Sequence, residues 1–201
     1  CLVLRTGQPA VPNDVAADFV RLLVVTGANH GGKTTLLRAL GVAHVMAGAG
    51  LGVAARAFTA ALTPAVRTHW AREEDAALAH GKLDEQLARF SALVDELTPG
   101  ALLLSNESFS STNEAEGSQI ALTVVRALVE AGVRVVAVTH LFGLAGALHE
   151  SGRPSAVFLR AQRGENGHRP YRIEPAPPLS TSFARDLYER EFDTDNASLQ
   201  G

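Results

Sequence analysis

The stretch Gly27-Ala28-Asn29-His30-Gly31-Gly32-Lys33-Thr34 follows the spacing G-x-x-x-x-G-K-[ST]. Glycines at those intervals let successive backbone N–H groups curl around phosphate oxygens, and a helix starting there adds its positive end. In such a loop Lys33 reaches the terminal phosphates and the Thr34 hydroxyl can ligate Mg²⁺. Thr35 completes the stretch. The chemistry it points to is the binding of a nucleotide, ATP or ADP, with Mg²⁺.

A second stretch, LLLSNESFSSTNEAEG at 102–117, runs as an apolar strand into Asn106-Glu107. In enzymes built on this kind of loop, a carboxylate at the end of a second strand holds the magnesium through water, and a neighbouring Glu orients the attacking water. Glu107 stands where that Glu is needed. Asn106 occupies the Asp position. It can accept a hydrogen bond from a magnesium-bound water but brings no charge, so hydrolysis is expected to be slow. His140, at the end of a third strand, is either a sensor of the γ-phosphate or a satisfied loop residue. The histidines at 30, 44, 69, 80, 149 and 168 have no H-E-x-x-H-like spacing, and no zinc site is expected.

The elements that must position these residues are legible in outline. Residues 21–27 form a continuous apolar run into Gly27, the pattern of a parallel strand buried on both faces. A helix follows the glycine loop, and Gly48, Gly50 and Gly52 read as its stop and the turn into a strand. From Trp70 to 97 the pattern is helical, with Leu83, Leu87, Phe90, Val94 and Leu97 on one core-facing stripe. After Pro99-Gly100 come a strand at 101–107, a helix from near Gly117 closed by Gly132, and a strand at 133–140. Residues 156–163 and 168–175 flank Gly-Glu-Asn-Gly, a hairpin with Asn166-Gly167 at its turn. A final helix spans 183–192. The fold class is α/β: a mostly parallel sheet flanked by helices, with an antiparallel C-terminal hairpin.

At 201 residues, 46% hydrophobic and 19% charged, the chain suits one compact domain. No apolar run approaches the ~20 residues that span a bilayer, so no membrane partner is expected. A net charge of −3 argues against a broad nucleic-acid-binding surface. The single cysteine, Cys1, fits a reducing compartment. Only Lys33 and Lys82 among 18 basic residues are lysine, and one of them lies in the glycine loop. The chain opens without Met and is expected to be a piece of a longer protein, its tail disordered from about 191.

Taken together, these residues resemble the C-terminal ATPase domain of MutS-family DNA mismatch repair proteins. TGANHGGKTTLLRAL is similar to the family's T-G-P-N-M-G-G-K-S loop and helix, LLLSNE to its L-V-L-x-D-E strand, and VTHLFGL to its A-T-H-Y-F-E-L. PAVPND, with Val11, resembles its adenine-side segment, although Ala10 stands where an aromatic ring commonly stacks. EEDAALAHGKLDEQL sits where the family has its signature loop, with His80 at the usual Ser position, and the wording is closest to the MutS-like ATPases. The resemblance implies a P-loop NTPase of the ABC-ATPase type and a cytoplasmic protein, nucleoid-associated when on DNA. It also implies a head-to-tail homodimer whose composite ATP sites are completed in trans by Gly81, with His80 or Lys82 beside it. DNA would be gripped by domains outside this chain. Two other readings stay open: a nucleotide-binding dimerisation switch without turnover, favoured by Asn106, and another ABC-type ATPase, which lacks support from an L-S-G-G-Q-like signature.

Overall fold

A computed structural model describes residues 10–71, 81–152, 154–164 and 168–179. The described chain is α/β, with four helices and one six-stranded, mostly parallel sheet. In chain order the elements are β1 (Leu22–Gly27), α1 (Lys33–Gly48), β2 (Val66–Trp70), α2 (Lys82–Val94), β3 (Leu102–Asn106), α3 (Glu114–Glu130), β4 (Arg134–Val138), α4 (Phe142–Ser151), β5 (Ala156–Ala161) and β6 (Ile173–Pro175). The strands lie in the order β2-β3-β4-β1-β5-β6, and only β6 is antiparallel to its neighbour.

The sheet is buried on both faces because its central strands are apolar over most of their length, polar residues entering only near their ends. Side chains alternate in direction along a strand, so each strand feeds two cores. Leu22, Val24, Leu103, Val135 and Ala137 join a cluster with Phe90 of α2, Val125 and Leu128 of α3, and Leu144 and Leu148 of α4. Leu23, Val25, Leu102, Leu104, Val136 and Val138 join Leu37 of α1 on the other face. The chain therefore crosses from β1 to β2 over one face and returns through α2 and α3 over the other. That reversal opens a crevice at the carboxyl ends of β1, β3 and β4, the usual ligand position in an open α/β sheet.

Several expectations need correction. Trp70 closes an edge strand, β2, where a helix is expected to start; the described helix runs Lys82–Val94, and residues 72–80 of the expected stretch lie outside the described residues. α1 does stop at Gly48, but the strand expected after the three glycines starts at Val66. The α2 stripe is turned: Gln86 and Phe90 are buried and Leu93 and Leu97 pack on the core, whereas Leu87 and Val94 are exposed. α3 begins at Glu114 and not near Gly117. Its N-cap is Asn113, whose side chain accepts from the Glu116 amide at 2.9 Å, leaving Gly117 inside the helix. α4 was not anticipated. The antiparallel pairing of β5 and β6 agrees with the expected hairpin, whose Asn166-Gly167 turn lies outside the described residues, as do His80, the final helix at 183–192 and the tail.

Gly117 is required by contact, since a Cβ there would lie 2.5 Å from the Phe109 carbonyl oxygen. Alanine is worth up to ~1 kcal/mol more than glycine inside a helix, but forcing a methyl against backbone costs about 1–3 kcal/mol. Gly117→Ala is therefore expected to lower unfolding stability in urea. A variant more stable than the wild type would show that the α3–loop contact yields easily.

Candidate active site

β1 delivers its last residue, Gly27, into the crevice with φ 103, a left-handed conformation open to glycine. A Cβ on Gly27 would lie 2.7 Å from the Ala161 carbonyl oxygen, and one on Gly31 would lie 2.7 Å from the Ala161 Cβ. The loop is thus pressed against the end of β5. Ala28 and Gly31 are buried, Asn29 is half-buried, His30 is exposed with φ 59, and Gly32 (φ 89) precedes α1. Lys33 folds back, its Nζ donating to the carbonyls of Gly27 (2.8 Å) and Ala28 (3.0 Å). Burial draws this ammonium below its ordinary pKa; the Glu107 carboxylate opposes that and the Arg169 charge adds to it.

The expected partners converge on this loop. Thr34, half-buried in the first turn of α1, donates from Oγ1 to Asn106 Oδ1 at 3.0 Å, so residues 72 positions apart share a hydrogen bond. Thr35, next to it, is exposed. Asn106 ends β3, and the following amide of Glu107 donates to the Val138 carbonyl (2.9 Å), which brings β3 and β4 to one edge. Glu107 has φ 54, sparsely occupied by residues with a side chain. Of the five non-glycine residues with such backbone among those described, His30 and Glu107 belong to this site and Tyr171 stands beside Gly32, whereas Phe109 packs in the core. Strain of this kind costs on the order of 1–3 kcal/mol and gathers at working sites.

His140 follows β4 and faces Glu107. Its backbone N–H donates to Glu107 Oε2 at 3.0 Å and its Nδ1 lies 2.6 Å from the same oxygen. The Glu107 hydrogen bond raises the imidazole pKa above its ordinary value, burial opposing it and the carboxylate charge assisting. Behind it, Glu114 Oε1 accepts from the Gly143 amide (2.8 Å) and Ser118 Oγ (2.8 Å), fixing the start of α4. These bonds, Gly143 first, hold the Glu114 carboxyl below its usual range.

The oxygen donors of Thr34 and Asn106 suit a hard cation such as Mg²⁺, which takes one or two protein groups beside phosphates and water. Among the described residues no cluster of three His, Cys, Asp or Glu side chains forms a metal site. Thr34 and Asn106 would thus fit a magnesium ion that brings most of its ligands with it.

Two expected residues stand apart. Val11 is exposed, in a segment that Asn13 ties to the far edge of the sheet: Asn13 donates to the Tyr171 carbonyl (3.0 Å) and accepts from the Ile173 amide (2.7 Å). The Tyr171 ring faces Gly32, 3.6 Å from where a Cβ would be. Gly81 opens α2, which packs beside β2, three strands from β1, and among the described residues a Cβ there would meet only Asp84. Arg169 was missed. Nine-tenths buried, it donates from Nε to the Asn29 carbonyl at 3.1 Å, across 140 residues of sequence. No local pattern marks an arginine that arrives through a hairpin.

The sequence model of MutS domain V matches residues 23–171. The chain belongs to this family. It is 33% identical over 142 residues to an Endonuclease MutS2 from Thermus thermophilus, covering 68% of this chain and 19% of that protein. It is 35% identical over 149 residues to an Endonuclease MutS2 from an Anaeromyxobacter species (70% and 18%). A DNA mismatch repair protein MutS from Myxococcus xanthus matches at 27% over 208 residues (93% and 23%). The chain thus spans about a fifth of the length of these relatives. No helix among the described residues is long and apolar enough to cross a membrane.

The Glu107–His140 pair carries a pH dependence of known sign. A folded pKa above the unfolded value of about 6.5 means stabilisation that is complete below that value and lost as pH rises through the folded one. The stability gap between wild type and His140→Gln is therefore expected to be wider near pH ~5.5 than near pH ~9 in denaturant titrations. A gap that widens with pH would mean that the pair does not hold an imidazolium.

Proposed function

We propose that this chain is the ATP-binding and ATP-hydrolysing domain of a MutS-like DNA repair protein, cytoplasmic and engaging DNA through parts outside these residues. The reading rests on one observation: Lys33, Thr34, Asn106, Glu107 and His140, drawn from three strand ends, meet in one crevice. The family match gives it its context.

In this reading the phosphates displace the Gly27 and Ala28 carbonyls as partners of Lys33, and the backbone amides of 28–33 take their oxygens. Thr34 would hold a magnesium ion, with Asn106 supporting it through water, and the ion would supply positive charge against the nucleotide's phosphates. Glu107 orients a water and takes its proton as the water oxygen bonds to the γ-phosphorus. The bond to the bridging oxygen breaks, and ADP leaves with that electron pair. His140 holds Glu107 in position and faces the γ-phosphate. Gly81, at the start of α2, is offered to a second copy, so that ATP gates head-to-tail dimerisation and with it the state of a DNA clamp. Val11 lies on the adenine side.

Asn106 favours a second reading, a nucleotide-gated dimerisation switch without turnover, because an amide in that position contributes no charge to the metal. Steady-state phosphate release with Mg-ATP separates the two. Release per molecule is expected to rise with protein concentration and to fall at least ~100-fold in Glu107→Gln, the scale of a lost general base. Lys33→Ala is expected to abolish nucleotide binding as well. Tight binding with wild-type release no faster than in Glu107→Gln would favour the switch.

Asn106→Asp restores the missing charge. At limiting magnesium it is expected to raise turnover by ~10–100-fold, the usual weight of a group that supports a metal from its outer shell. An unchanged magnesium dependence would remove Asn106 from the metal's surroundings.

A further inference from the structure

A buried polar chain links the loop behind Glu107 to α2. Ser105 Oγ and Ser108 Oγ are 2.7 Å apart, and Ser108 Oγ lies 2.6 Å from His69 Nδ1. All three residues are at least nine-tenths buried. His69 sits in β2 directly opposite Ser105 of β3. Its ring stands edge-on to Phe90 of α2, with centroids 4.9 Å apart, and stacks on Phe109 at 6.1 Å and 23°. One imidazole thereby touches both the helix that opens at Gly81 and the loop that follows Glu107.

The helix side of this junction is poorly satisfied. Gln86 Oε1 is buried with no hydrogen-bond partner. His69 Nε2 has no well-formed bond, and on this side the ring draws only on the Gln86 backbone. Arg89 Nε faces Glu85 Oε1 at 3.7 Å, while a terminal Arg89 nitrogen donates to the Trp70 carbonyl at 3.3 Å. Burial, with the Arg89 charge, lowers the His69 pKa to about 4, so the ring is neutral and has one N–H and one lone pair to place. Unpaired polar groups oppose the arrangement that buries them. On the loop side the Ser105 and Ser108 hydroxyls are bonded, and Ser110 Oγ donates to the Glu107 carbonyl at 2.7 Å. The junction is tightly bonded through Ser105 and Ser108 and only weakly bonded toward α2, the asymmetry expected of an element that re-seats.

We propose that His69 is a positioning residue that couples α2, and thus the Gly81 end offered to a neighbour, to the loop holding Glu107, so that α2 re-seats on β2 when nucleotide fills the crevice. This rests on the nucleotide-site reading above. Amide hydrogen exchange with Mg-ADP tests it without turnover, in the 201-residue chain. His69→Phe keeps a ring between Phe90 and Phe109 and removes the link; Ser108→Ala removes the link from the other end and keeps the ring.

In the wild type, Mg-ADP is expected to slow exchange at 27–35, at 107–110 and across 82–94 by at least ~5-fold. In both variants the slowing at 27–35 is expected to remain while that at 82–94 is lost to within about twofold of the nucleotide-free rate. Slowing at 82–94 that survives in both variants overturns the coupling. So does wild-type protection at 27–35 with none at 82–94. No change even at 27–35 overturns the nucleotide site itself, and the coupling with it.

Discussion

A lysine ammonium is buried only where oxygen atoms stand ready to receive it. Lys33 is 6% exposed, and the oxygens are the carbonyls of Gly27 and Ala28. Those carbonyls turn inward because the chain passes through left-handed backbone at Gly27 on leaving β1, which in turn needs a residue without a side chain. The same lack of a side chain lets the loop lie against Ala161 and fixes it relative to β5. Burying one cation thus specifies the glycines, the placement of β1 at the centre of the sheet, and the parallel neighbour that walls the loop.

The remaining groups answer to that loop through β4. Neither β3 nor its Glu107 touches β1 directly; β4 lies between them, and it joins both by hydrogen bonds, from Glu107 N–H to the Val138 carbonyl and from Thr139 N–H to the Val25 carbonyl. The crevice is therefore as rigid as the central sheet at its floor. Its rims are made of left-handed backbone at His30, Glu107 and Tyr171. For the proposed nucleotide, a firm floor under strained rims would let binding release the strain while the sheet stays fixed.

How much of this was legible depended on whether a single stretch carried the signal. The buried strands at β1, β3 and β4 announce themselves as apolar runs, and the loop by its glycines and lysine. β2 does not, because Val-Arg-Thr-His-Trp pairs on one side only and mixes polar residues into an edge strand. The turned face of α2 was hidden for a related reason: Gln86 is buried where the leucine spacing favours Leu87. The Asn113–Glu116 capping pair was readable as a helix start, yet Gly117 drew attention away from it. Arg169 and the His69–Ser108–Ser105 chain were beyond reach, since each joins segments whose proximity only the folded sheet creates.

The wall supplied by Ala161 also sets a schedule for the growing polypeptide. The glycine loop is made early, but the strand it leans on arrives about 130 residues later, and β1 pairs with nothing nearer in sequence than β4. At ~5–20 residues per second of synthesis, the loop is exposed for roughly 7–26 s before its support exists. Parallel pairing between such distant segments is slow to form in any case. A nascent chain that has already spelled out its glycine loop still has nothing to press it against, and the loop gains its wall only when β5 closes beside it.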